Sequence, residues 1–472
     1  MSSAKNTLAV EPGRNCKMQI ANCKMQIDES AIDDLQFAIC NLQSSLRVLC
    51  VLCCIFLSDA IGASAAGGQV VPLEGEPFIG ELISIGVDGR IVFRIQGAVS
   101  AAGSTKREFG SDELVRWGHP CEPRPQIFVV LADGGRLITA AAWSGGAPVR
   151  LEGDKIVALT DTWGEVQLAK SLVRGLVFAQ RHHLAAREDL EETVRDESAT
   201  NLSLRESGNS SSEIVLLTNK DRVTGKLAAL AGGSLTLETP NGAVKLPLSR
   251  VEAVVFGGEE AGNLPASERQ PPSFVVGTRD GSLVYANGIS SDEHGLIIEA
   301  AESLTLTADG LDDIALLQSL GGRFDYLSDL EPQGYRHVPY LSIEWPYARD
   351  RNVLGEPLSV GGKRYLKGIG MHSAARLTYR LDGQYRRFIA TVAIDASAGK
   401  RGSVAFGVYV LRGGAWEEAF TSGMVRGGES PRPVSVDVTG AQGLTLTVDF
   451  ADRGDELDRA NWLDARLVKT EM

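Results

Sequence analysis

The feature that most constrains this chain is an alternation of apolar residues with a period of two. Val404, Phe406, Val408 and Val410 are separated by Ala405, Gly407 and Tyr409, and Val434, Val436 and Val438 by Ser435 and Asp437. Successive side chains of a strand point to opposite faces, so the pattern places one row on a core. Leu444, Leu446 and Val448 continue the rhythm, until Asp449 stands between Val448 and Phe450. Short strands of this kind, paired sheet on sheet, predict an antiparallel sandwich at the C-terminus.

Upstream, from Gln69 to about Gln318, four weakly similar units follow one another. They open on Phe78–Ile83, Phe128–Leu131, Val215–Leu217 and Phe274–Val276, and Asp-Gly at Asp133–Gly134 and Asp280–Gly281 is a hairpin signal. They close on related phrases, Leu114–Trp117, Leu172–Phe178, Val251–Phe256 and Leu311–Leu317. In the third unit Leu235 and Leu237 alternate before the turn Pro240-Asn-Gly242, and Val244, Leu246 and Leu248 after it. Repeats of several short strands predict small, strongly bent barrels, two over 69–180 and two over 213–320, with a resemblance in architecture to SH3 or Sm-like folds. Propeller blades are the other reading of such repeats. The intervening 181–212 is charged and rich in Ser and Asn, which predicts an exposed helix and a flexible linker. The adjacent His182 and His183 read there as solvated residues, and 321–335 reads as a second linker.

Six of the seven cysteines precede residue 60 and only Cys121 follows, so no disulfide is expected within the body of the protein. Cys16 and Cys23 sit in a near tandem, Asn15–Ala21 and Asn22–Asp28, which suggests that 1–45 is a non-native or unstructured extension. Arg47 then precedes the apolar run Val48–Leu57, too short to span a bilayer, and Ala63-Ser-Ala65 has the spacing of a cleavage site. Residues 46–65 therefore read as a signal peptide, with no transmembrane segment after its removal. That predicts a protein that is secreted, periplasmic or on the cell surface. A net charge of -13 opposes phosphate-backbone binding, so nucleic acid is not an expected partner.

The C-terminal part, 336–472, carries a series of motifs in order: Tyr340-Leu-Ser342, Trp345, Lys367-Gly-Ile-Gly-Met-His-Ser373, Leu377-Thr-Tyr-Arg-Leu381, Tyr385-Arg-Arg-Phe388, Ile394-Asp395, Gly402–Phe406 and Trp462–Leu467. In these it resembles the NPCBM domain, a carbohydrate-binding module also found beside family 98 glycoside hydrolases. The resemblance implies a galactose-binding-like β-sandwich, a jelly roll, that recognises sugars without cleaving them. Where the family usually reads Asp-His-Ala-Asp-Trp, this chain reads Asp458-Arg-Ala-Asn-Trp462.

Sugar binding needs an aromatic face for the apolar side of a pyranose and planar polar groups for its hydroxyls. Trp345, His372, Trp416, Asn461, Trp462 and Asp464 are candidates of the right types. Each also has a bland alternative: a tryptophan beside Leu463 and Ala465 belongs to a core, and a histidine after Gly368 and Gly370 to a tight turn. Asp452, Asp455, Glu456 and Asp458 crowd one loop and are candidate calcium ligands, a structural role for which related sandwiches raise the expectation. No nucleophile elbow, zinc-binding His-Glu-x-x-His or phosphate loop occurs, and no carboxylate pair is marked as glycosidic. The sequence thus predicts a mostly β, non-enzymatic protein whose C-terminal module captures galactose-like glycans, the partner of the repeats being unknown. A structural protein-interaction module and an unrecognised glycan-processing hydrolase are the competing classes.

Overall fold

The computed structural model describes residues 67–100, 103–141, 147–178, 184–206, 212–257, 271–300, 304–452 and 454–470. The N-terminal extension, the expected signal peptide, His182 and His183 lie outside the described residues. The protein is mostly β, and the four sequence units are four copies of one strand arrangement. In the first, Gly68–Pro72, Phe78–Ile85, Ile91–Ser100 and Gly103–Phe109 pair in chain order, and Leu114–Gly118 returns to pair with Gly68–Pro72. The third repeats this with Glu213–Leu217, Arg222–Ala231, Ser234–Thr239, Gly242–Pro247 and Val251–Val255. The fourth does so with Phe274–Thr278, Leu283–Asp292, Gly295–Ala300, Thr305–Ala308 and Ile314–Ser319. In the second, Arg136–Ile138 and Val149–Glu152 divide the place of one long strand, between Phe128–Leu131 on one side and Lys155–Thr160 on the other.

The repetition extends to single residues. A long second strand must bend to serve two neighbours, and an extra residue supplies the bend: Ile83, Ala228 and Asn287 are each skipped in their pairing. Every closing strand skips its second residue, Val115, Arg174, Glu252 or Ala315, against the first strand.

The bent units stay open, because among the described residues the fourth strand has no register with the fifth of its own unit. The open edge of each closing strand is covered by another unit, which removes a site of unwanted pairing. Val173–Val177 lies antiparallel to Val251–Val255 with Leu176 opposite Val254, and Leu114–Gly118 to Ile314–Ser319 with Trp117 opposite Leu317. Counted from the shared bulge, each opposed pair occupies equivalent positions, so a local two-fold axis relates second to third unit and first to fourth.

Each joined pair has an outer apolar face that needs a cover. The charged stretch forms the helix Leu184–Glu206, whose Leu190 and Val194 pack on Phe128, Val130, Val177, Ala253 and Val255 of the second and third units. On the first unit, Val71, Leu73 and Val115 pack instead against Phe324, Tyr326 and Val468 of the C-terminal sandwich.

One sheet of that sandwich runs Ala348–Arg349, Gly368–Met371, Ala460–Lys469, Tyr385–Ile394 and Arg432–Asp437. The other runs Gly334–His337, Ala375–Arg380, Gly443–Phe450, Ser403–Arg412 and Ala415–Arg426. The alternating valines and leucines meet between them: Val404, Phe406, Val408, Val410, Val434, Val436, Leu444, Leu446 and Val448 are all buried in one cluster. Residues 321–335, read from the sequence as a linker, belong to the sandwich. Phe324–Tyr326 pairs with Ala460–Lys469 and Leu327 enters the core; a strand of three residues is too short to show a period.

Candidate functional site

The sandwich loops gather an aromatic cluster. Gly334–His337 is held against Ala375–Arg380, and the chain then runs over the surface from Val338 to Trp345. The indole of Trp345 lies flat on the imidazole of His372, with ring centres 4.9 Å apart and planes 7° from parallel. Two bonds fix this stack from the Trp345 backbone: its carbonyl accepts from the Tyr335 hydroxyl at 2.6 Å, and its N–H donates to His337 Nδ1 at 3.3 Å. His337 stands perpendicular to His372 at 6.1 Å, and Tyr340 meets Phe450 edge to face, also at 6.1 Å. Tyr340 is 60% exposed, and Leu341, Ile343 and Phe450 are exposed beside it.

His372 follows Gly370, where a Cβ would come within 2.5 Å of the Arg351 carbonyl oxygen; only glycine lets the two backbones approach so closely. Burial pushes the His372 pKa down to about 4, against the attraction of Asp455. Burial also lowers His337, with Glu344 and Asp455 opposing. Both rings are thus neutral at physiological pH, and His337 already spends its Nδ1 as acceptor for the Trp345 N–H. An exposed aromatic edge, neutral imidazoles and the Asp455 carboxylate are the equipment for seating a pyranose.

Of the six candidates for sugar contact, the structure brings Trp345 and His372 together. Trp416 is 47% exposed on the outer strand Ala415–Arg426, where it packs over Gly443 rather than on Trp345. Trp462 is wholly buried between Phe388 and Phe406, with centroids at 6.1 and 5.2 Å, and so belongs to the core. Asn461 is equally buried, its Nδ2 donating to Asp395 at 2.7 Å. Asp395 also accepts from Asn352 Nδ2, the Ser359 amide and Ser397, which makes it the anchor of the surrounding loops. Asp464 faces the first repeat unit, where Arg116 Nε donates to its Oδ2 at 2.7 Å and both side chains are 5% exposed. None of these last three can meet a ligand on the outer loops. His337, Tyr340 and Phe450 were not singled out from the sequence, though the Tyr340-Leu-Ser motif was the available signal.

The four candidate calcium ligands are placed differently from one another. Asp452 is ion-paired with Arg426 at 2.6 Å and accepts from Ser403 Oγ, while Glu456 pairs with Arg401 at 2.9 Å. Asp455 lies near the two histidines, and buried Asp458 accepts from the Ser403 amide at 2.9 Å through Oδ1, with the Ser373 side chain also beside it. Burial raises Asp458 to about 6. Among the described residues no three His, Cys, Asp or Glu are grouped to hold a metal ion. Arg459, in the place of the family's histidine, donates to the Ser397 carbonyl at 2.9 Å. Among the described residues no helix is long and apolar enough to cross a membrane.

The chain is similar to several known proteins over part of its length. A 145-residue stretch is 26% identical to a putative endo-alpha-N-acetylgalactosaminidase of Renibacterium salmoninarum, and 119 residues are 32% identical to alpha-1,3-galactosidase B of Akkermansia muciniphila. These stretches are 30% and 24% of this chain but only 9% and 14% of those proteins, so the chain spans a small part of the curated relatives it matches. Among solved structures, CBM51 from Clostridium perfringens GH95 in complex with methyl-galactose is 26% identical, over 31% of this chain and 99% of that one, with a TM-score of 0.27. The tandem CBM51 modules of a Streptococcus pneumoniae family 98 glycoside hydrolase are 14% identical, over 56% of this chain and 90% of that one, also with a TM-score of 0.27. Residues 323–468 match the family model of the NPCBM/NEW2 domain, which begins just before the strand Phe324–Tyr326 and ends in the strand Ala460–Lys469.

Proposed function

We propose that this protein binds glycans without cleaving them, outside the cytoplasm, through the loop cluster at Trp345 and His372. The observation that carries the reading is the stack of Trp345 on a neutral His372, beside exposed Tyr340, on the loops of an NPCBM/NEW2 domain. Such a surface offers C–H contact to a sugar face and hydrogen bonds to its hydroxyls at small cost in side-chain ordering, because Tyr335 and His337 already hold Trp345. The names of the two curated relatives, acting on galactosamine- and galactose-containing substrates, favour galactose-type sugars as the ligand class.

The test is a glycan array with the full chain and its Trp345→Ala and Trp416→Ala variants. Saturable binding to galactose-terminated glycans is expected, lost in Trp345→Ala and kept in Trp416→Ala. Binding should be the same with calcium and with chelator, because Asp452 and Glu456 are already neutralised by arginines. A folded protein that binds no glycan sinks the proposal and favours a protein-interaction module; release of reducing ends from a glycan mixture would point to an enzyme.

A further inference from the structure

The strand Ala460–Lys469 is interrupted where the sandwich meets the first repeat unit. Leu463 pairs with Thr391 and Arg466 with Ile389, so Asp464 and Ala465 together stand against Ala390. Asp464 takes a left-handed backbone at φ 47, a strained choice for a residue with a side chain. The same bulge parts the other edge of the strand: Gly368–Met371 pairs up to Leu463, and Phe324–Tyr326 takes over from Arg466.

A cavity of about 660 Å³ lies along this seam, lined by both Asp464 and Arg466. Its charges do not balance. Arg466 is only 4% exposed, yet among the described residues its side chain donates only from Nη1 to the Asp464 carbonyl at 3.0 Å, and its Nε has no partner. The one carboxylate beside it, Asp464, gives Oδ2 to Arg116 and leaves Oδ1 unpartnered, so a single negative charge is shared by two buried guanidiniums. At the rim Arg386 is neutralised by Glu74, while exposed Lys363 and Arg387 add positive charge and Glu76 returns part of it. A buried guanidinium without a counter-ion of its own is costly, and a strained bulge that keeps it so is a cost without structural return.

We infer that this seam is an oxyanion site, in which Arg466, reached past Lys363 and Arg387, takes a carboxylate or sulfate group. Guanidinium forks match the oxygens of such groups, and a dry wall strengthens the pairing. This site is separate from the Trp345 cluster and does not depend on glycan binding there.

The experiment is thermal melting and calorimetric titration of the full chain with sodium sulfate and with sodium glucuronate, against sodium chloride at matched ionic strength. A saturable rise in melting temperature with sulfate or glucuronate is expected, and which of the two binds more tightly tells a tetrahedral from a planar preference. Arg466→Met should melt higher than the wild type without anion, and lose at least tenfold in affinity. Trp345→Ala should titrate as wild type. Equal responses to chloride, or an unchanged response in Arg466→Met, overturn the inference. If Arg466→Met does not fold, wild-type crystals soaked in selenate decide: an anomalous peak within hydrogen-bond distance of Arg466 supports the site, and none there overturns it.

Discussion

At the scale of single residues, burial shifts two groups of the sandwich in opposite directions, a histidine down and a carboxyl up. His372, pushed from 6.5 to about 4 by burial, is neutral when folded, whereas the unfolded chain takes up its proton first on acidification. Its contribution to stability is therefore full above pH 6.5 and lost as the pH falls through about 4. The imidazole resonances of His372 should show no titration between pH 8 and 5, and glycan binding should be flat over that range. A midpoint near 6.5 by NMR would show that the ring is solvated. Asp458 has the reverse sign. Its carboxyl moves from 3.8 to about 6, so the folded state holds the extra proton and stability falls as the pH rises through that window. Asp458→Asn keeps the acceptor for the Ser403 amide, and should melt higher than the wild type at pH 7 with the gap closing towards pH 4. The sequence named both residues but not their states, because charge and burial come from neighbours distant in the chain. The same blindness misread Trp462 and Asn461: their types suit a sugar, and only the packing of two sheets shows them in the core.

At the scale of elements, the closing strands carry the architecture of the repeats. Gly118 and Gly175 lie where each crosses its partner unit. A Cβ on Gly118 would come within 1.9 Å of the Ala315 carbonyl oxygen, and one on Gly175 within 2.2 Å of that of Val254. Overpacking costs about 1–3 kcal/mol in general, and the obstructing atoms here are backbone. Each Gly→Ala substitution should therefore destabilise by the upper part of that range in denaturant melts, whereas alanine at Gly310, which has open space around it, should cost less. The closing phrases were legible in sequence because strand and bulge repeat locally. That the phrases pair with one another was not legible, since an edge is covered by whatever strand lies nearest in space. The Arg116–Asp464 bridge is of the same non-local kind. Arg116→Met removes the charge-assisted bond to Asp464 and should cost about 1.5–3 kcal/mol in denaturant melts, because Arg466 remains beside the carboxylate.

At the scale of the whole described body, the sandwich and the repeats share one apolar seam. Phe324, Tyr326 and Val468 cover Val71 and Val115, Tyr326 accepts from Gln318 at 3.0 Å, and Arg364 reaches Glu188 of the helix at 2.5 Å. Apolar interfaces of this kind suppress the independent motion usual between domains. Calorimetry should accordingly show one unfolding transition, and two resolved transitions would mean that the seam is weak. A fragment beginning at 336 lacks Phe324–Tyr326 and Leu327 and should fail to fold. One beginning at 321 should keep the near-ultraviolet signal of its buried Trp462.

The sequence by itself determined that the protein is mostly β, that a sandwich stands in its C-terminal part, and which rows of side chains face the sandwich core. It could do so because strand period, hairpin turns and bulges are written in neighbouring residues. Only the tertiary structure decided that the units stay open and join in pairs, that the helix and the sandwich cover equivalent faces, and that Phe324–Tyr326 is no linker. It alone set Trp345 on His372, sent Asp464 to Arg116, and left Arg466 without a counter-charge of its own. Those outcomes depend on which surfaces meet across hundreds of residues, and burial, pairing and charge compensation exist only once they have met.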